Sequence, residues 1–167
     1  MSKFVIIAAA LVAVATPAGA QQPQLTDQAA IEQTIRDVYA VISGPPGQKR
    51  DFDKMRSMFA PNALLRPIAP GGLRGGTLED YIAKSGPLLE KDGFTETGLA
   101  NRIEIYGNLA HVWSSYDGRT ATGSFKTRGI NSFQLVKLNG TWKVASILWQ
   151  QETPQFPLPA NMAGNKK

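Results

Sequence analysis

The chain contains no cysteine. Disulfides, thiolate metal centres and cysteine nucleophiles are therefore excluded. It contains one histidine, His111. Any metal site needing two imidazoles is ruled out, and at most one imidazole is available for acid–base work. No metal site and no cofactor is expected. No run of five basic residues occurs, and no alternation of basic and aromatic residues marks a stacking platform, which argues against a nucleic-acid partner. The Gly-x-Ser-x-Gly pattern is absent, which argues against a serine-elbow hydrolase. The segment Gly71-Gly72-Leu73-Arg74-Gly75-Gly76 lacks the Lys-Ser/Thr ending of a phosphate loop and reads as a turn.

What is present fits a single folded unit. The 167 residues are 43% hydrophobic and 19% charged, outside the range of disordered or coiled-coil chains. The net charge of +5 supports no more than mild attraction to anionic surfaces. Lys3, the apolar run Phe4 to Thr16, and the small-x-small pair Ala18 and Ala20 have the pattern of a signal peptide, with cleavage expected after Ala20. The run is short for a bilayer span, so no stable membrane anchor is expected after cleavage. The chain reads as residues 1–20 signal peptide, 21–152 folded domain and 153–167 a proline-containing tail, with a periplasmic or secreted location.

Ile31, Ile35, Val38, Tyr39 and Ile42 form one stripe at helical period, with Thr26 or Asp27 as cap. A second, short helix is expected from Asp51 or Phe52 to Phe59, with Phe52, Met55, Met58 and Phe59 inward. Ala63 to Ile68 reads as a short strand interrupted by Pro67. Thr77 and Asp80 resemble a capping box opening a third helix, which Gly86-Pro87 should break or kink. Beyond Gly93 the period becomes two. Strands are expected at Phe94–Tyr106, Leu109–Asp117, Arg128–Leu138 and Trp142–Gln151, with hairpin turns at Gly107-Asn108 and Asn139-Gly140. Helices early and strands late predict an α+β fold: three N-terminal helices packed on a strongly bent antiparallel sheet, shaped as a cone with an interior cavity.

That order, together with Ala63-Leu64-Leu65-Arg66, Gly107-Asn108-Leu109-Ala110-His111-Val112, Asn131-Ser132-Phe133-Gln134-Leu135 and Trp142 to Gln150, resembles the nuclear transport factor 2-like superfamily, and within it the SnoaL-like domains. The resemblance implies the cone fold and a homodimer. It does not choose a function, since the superfamily holds ketosteroid isomerases, dehydratases, cyclases and binding-only members. Pro67 stands where the isomerases place their catalytic aspartate, and Asn131 where they place an acidic hydrogen-bond donor. Their first-helix tyrosine matches Val38 or, one residue along, Tyr39. The isomerase mechanism is disfavoured accordingly.

Alternation places Leu109, His111, Trp113, Ser115 and Asp117 on one face of their strand, and Ala110, Val112, Ser114 and Tyr116 on the other. The resemblance implies that the odd-numbered sets, including Asn131, Phe133 and Leu135, and Ala145, Ile147, Trp149 and Gln151, face the cavity. Met58, Trp113, Phe133, Trp149 and Gln151 are then the expected ligand-binding residues, and His111, Asn131 and Tyr39 the candidate catalytic ones. Three functions follow. The first is binding of a small hydrophobic or amphipathic molecule. The second is a lyase, isomerase or cyclase using His111 as general base, with Asn131 or Tyr39 donating to an oxyanion. The third is a dimeric interaction module using the face of Ala110, Val112, Ser114 and Tyr116. A hydrogen-bonded structural histidine is the plainer reading of His111.

Overall fold

The computed structural model describes residues 26–164. The signal-peptide reading falls outside them. Helix α1 (Asp27–Ile42) starts where the Thr26 hydroxyl accepts from the Ala29 N–H. The expected stripe Ile31, Ile35, Val38, Tyr39 and Ile42 is buried. Asp27 does not cap. Its carboxylate accepts from Lys137 at 2.6 Å and from the Trp142 indole at 3.0 Å, tying the start of α1 to the far end of the sheet. Helix α2 (Phe52–Met58) is capped by Asp51, which accepts from the Lys54 N–H at 2.8 Å. Strand β1 (Phe59–Ala69) follows, then the short strands β2 (Gly72–Leu73) and β3 (Gly76–Thr77).

Helix α3 (Leu78–Asp92) opens on the capping box of Thr77 and Asp80. It runs through Pro87 instead of breaking there. One lost backbone bond is outweighed by the cap at one end and by the burial of Leu78, Gly86 and Leu89 along the helix. Gly86 lets the helix approach Phe52 closely: a Cβ there would lie 3.0 Å from the ring, which would have to shift. Strands β4 (Phe94–Tyr106), β5 (Leu109–Thr120), β6 (Lys126–Leu138) and β7 (Thr141–Gln151) complete the sheet. The β6–β7 hairpin turns on Asn139 and Gly140, both at positive φ.

The sheet order is β2-β1-β7-β6-β5-β4, with β3 also paired to β1. The long hairpins are antiparallel as expected, but β1 runs parallel to β7, so the sheet is mixed. Strand β1 is also longer than expected and contains both Pro61 and Pro67. Pro61 lies where the register with β7 shifts, beside Asn62 at φ 60°. Further shifts interrupt β4 between Gly98 and Ala100, and the β6–β7 pairing between Gln134 and Leu135. Such bulges bend and twist a sheet. The helices pack on its inner face, against Val112, Phe133, Leu135 and Val144, all fully buried.

Arg50 is a buried cation without a carboxylate partner. Its guanidinium donates to the carbonyls of Ile42 (3.1 Å), Gly44 (2.7 Å) and Leu89 (2.8 Å), and to that of Gln48. Ile42 ends α1 and Leu89 lies in the last turn of α3, so one side chain satisfies free carbonyls at the negative ends of two helix dipoles. The tail does not lie free over its whole length. Met162 is buried, Arg128 donates to the Ala163 carbonyl at 3.3 Å, and Gly164 rests on Leu99.

Candidate functional site

A cavity of about 460 Å³ opens between α1, α3 and the inner face of the sheet. Helix α1 contributes Val38, Tyr39 and Ile42, and α3 contributes Tyr81, Ser85, Leu88 and Leu89. Phe133, Ile147 and Trp149 form much of the sheet wall. Leu88 and Phe125, both exposed, stand with Asp92 and Gln151 among the lining residues. The volume suits one small organic molecule, and the walls are chiefly apolar.

A polar string runs into this cavity. The hydroxyls of Ser114 and Tyr39 are hydrogen-bonded at 2.7 Å. The Asn131 amide nitrogen donates to the Tyr39 oxygen at 3.1 Å and to a carboxylate oxygen of Glu96 at 3.3 Å. Gly98 makes room for this string, since a Cβ there would lie 3.1 Å from the Tyr39 ring. No other hydrogen bond reaches the Glu96 carboxylate among the described residues. The residue is half-buried and lines the cavity. Burial pushes its pKa up to about 7, and the Asn131 bond offsets only part of that. Burial also raises the phenols of Tyr39 and Tyr81, and the negative charge of Glu96 adds to both.

The sequence reading missed Glu96 altogether. Five of the eight expected site residues do line the cavity: Tyr39, Asn131, Phe133, Trp149 and Gln151. The other three do not. Met58 is half-buried behind the wall, and Met55 from the same helix takes the lining position. His111 and Trp113 stand on the outer face of the sheet. The His111 Nε2 is 3.0 Å from the Ser132 hydroxyl, and its ring meets Trp113 edge-on at 5.3 Å. The exposed carboxylate of Glu104 is 3.8 Å away from Nδ1. Asp117, on the same face of the strand, lies 3.7 Å from Arg128.

The reason is register. Val112 pairs with Phe133, and Ser114 with Asn131, so even-numbered residues of β5 share the inner face with odd-numbered residues of β6. Ala110, Val112, Ser114 and Tyr116 are consequently buried, and cannot form the outer docking face expected of them. In β7 the bulge at Ala145 changes the phase, so Trp142 and Val144 point inward before it and Ile147 and Trp149 after it.

Solved structures resemble this one over most of its length. A protein of unknown function with a cystatin-like fold from Nostoc punctiforme matches with a TM-score of 0.60 at 16% identity, covering 82% of this chain and 100% of that one. An NTF2-like protein of unknown function from Shewanella baltica matches at 0.52 and 21%, over 78% and 99% of the two chains. A nuclear transport factor 2 superfamily protein from Salmonella enterica matches at 0.58 and 20%, over 81% and 94%. The chain has the nuclear transport factor 2-like fold. No protein-family model matches it, and no curated protein matches it in sequence.

Within this nuclear transport factor 2-like cone the chemistry available is narrow. Among the described residues no group of three or more metal-ligating side chains gathers. No described helix is long and apolar enough to cross a membrane. Two carboxyl groups line the cavity, the exposed Asp92 and the half-buried Glu96, and near neutral pH Glu96 can accept or release a proton there. The Asn131 amide nitrogen, an oxyanion donor in the sequence reading, is already engaged with Tyr39 and Glu96.

Proposed function

We propose that the chain holds a small hydrophobic or amphipathic molecule in its cavity, with Glu96 as the polar group that orients it. The observation that carries this reading is the Glu96 carboxylate, bonded among the described residues by Asn131 alone, in a cavity walled mainly by apolar and aromatic side chains. Glu96 is the half-buried carboxyl available for acid–base chemistry in the cavity, because His111 stands on the other side of the sheet. The sequence of residues 1–20 supports export to the periplasm or beyond.

The test is titration of the purified chain with naphthylethanol, an uncharged amphipathic probe, followed by calorimetry. Saturable one-to-one binding is the expected result. Ser85→Phe should abolish it, since Ser85 lines the cavity from α3 and a phenyl group there would fill it. Binding unaffected by that substitution would place the probe elsewhere and overturn the reading.

A second copy of the chain is the partner we propose for the sheet's outer face. The support is adjacency: Leu148 and Trp113 flank Ser132 in one cross-strand row, and both are exposed, as is Leu64 in the next row. Light scattering should give twice the chain mass, and Trp113→Glu should halve it.

A further inference from the structure

We infer that the molecule held in the cavity carries a positively charged nitrogen on an apolar or aromatic body, and that Glu96 is its counter-ion. This rests on the cavity reading above and names the class of ligand. The first ground is the charge of the walls. The residues lining the cavity include two acids, Glu96 and Asp92, and no lysine, arginine or histidine. The chain as a whole is basic. Two nearby cations are engaged elsewhere: Arg50 donates to backbone carbonyls, and Arg128 lies against Asp117 and Glu152.

The second ground is the state of the Glu96 carboxylate. One oxygen accepts from a neutral amide, and no salt bridge reaches either oxygen among the described residues. A half-buried charge facing a chiefly apolar cavity is costly unless it is paired. An anionic ligand would add a second negative charge to the same space. A neutral one would leave the carboxylate as it is. A cationic one supplies the missing partner, in a charge-assisted hydrogen bond made away from bulk water.

The third ground is the wall itself. Tyr39, Tyr81, Phe94, Tyr116, Phe133 and Trp149 all border the cavity. Aromatic faces attract cations, most strongly where water is excluded, so the same walls that hold an apolar body also favour an ammonium group near the carboxylate. The groups facing Glu96 are the phenols of Tyr39 from α1, Tyr81 from α3 and Tyr116 from β5, together with Asn131 from β6. Burial raises all three phenols, so they stay neutral while Glu96 ionises.

Three probes of one shape test this: naphthylethylamine, naphthylethanol and naphthylacetate, titrated calorimetrically into the purified chain at pH 8. The amine should bind at least about tenfold more tightly than the alcohol, with the carboxylate weakest. Glu96→Gln should remove the amine's advantage over the alcohol. An alcohol that binds the parent as tightly as the amine overturns the charge inference and leaves the cavity reading standing. So does an amine preference that survives in Glu96→Gln. If none of the three binds, the cavity reading fails and the inference with it. The comparison of amine with alcohol needs only the parent chain, so it decides the matter even where the variant folds poorly.

Discussion

Replacing Glu96 by glutamine removes one ionisable group and little else. The amide keeps a carbonyl oxygen to accept from Asn131, and its size is nearly unchanged. In the folded chain the Glu96 carboxyl has its pKa raised from 4.5 to about 7, first by burial. The folded state therefore holds a proton that the unfolded chain has already lost between those two pH values. Its contribution to stability is fully present below pH 4.5, declines as pH rises, and is gone above about 7. Each pKa unit corresponds to about 1.4 kcal/mol, so the parent should lose about 2–3 kcal/mol relative to Glu96→Gln between about pH 5 and pH 8.5. The exposed carboxyls held low by hydrogen bonds, Asp27, Glu79 and Asp80, are ionised in both states across that window. Other titrating groups are common to parent and variant and cancel in the difference. Urea unfolding followed by tryptophan fluorescence reads the effect. With a slope of about 1–3 kcal/mol per molar, the parent midpoint should fall by about 1 M or more against the variant. Parallel stability curves for the two proteins would refute the claim that an unpaired carboxyl is enclosed at this site.

Two further outcomes follow from the same geometry. Arg50→Ala should destabilise the fold by about 3 kcal/mol or more, because it leaves the carbonyls of Ile42, Gly44 and Leu89 without their donor and frees the ends of both cavity-forming helices; thermal unfolding by circular dichroism measures it, and a loss below about 1 kcal/mol would show that water replaces the guanidinium. His111→Ala should leave naphthylethanol affinity within about twofold of the parent, because the imidazole lies across the sheet from the cavity; a drop of tenfold would mean the two faces are coupled.

The helix starts and the hairpins were legible because their chemistry is local. Thr26, Asp51 and the Thr77–Asp80 pair each satisfy backbone donors within one turn, so the signal lies in three or four consecutive residues. Asn139-Gly140 announces its turn in the same way. The parallel pairing of β1 with β7 was not legible. It joins segments about eighty residues apart, and nothing within Phe59–Ala69 names the partner that lets two prolines sit in a strand. Pro87 misled for a related reason: the rule that a proline ends a helix is local, whereas the burial that carries α3 past it is tertiary.

Part of the site was legible because phase stayed constant. Tyr39, Asn131 and Phe133 fell where expected because α1 and β6 each keep a single period through those residues. Strand β4 does not. Its register shifts at Leu99, so the inward residues are Phe94 and Glu96 before the bulge and Ile103 after it, even-numbered first and odd-numbered second. Read as one alternating strand, Phe94–Tyr106 shows no consistent face, and an acid between two threonines looks like surface. The bulge thus does two things at once: it bends the sheet around the helices, and it turns a glutamate into the chamber that the bend creates. His111 met the converse problem. Strand β5 alternates cleanly, but alternation fixes which residues go together and leaves open which set is inside. That choice belongs to the cross-strand pairing of Val112 with Phe133, and it carries the imidazole outward, across the sheet from the cavity that Glu96 lines.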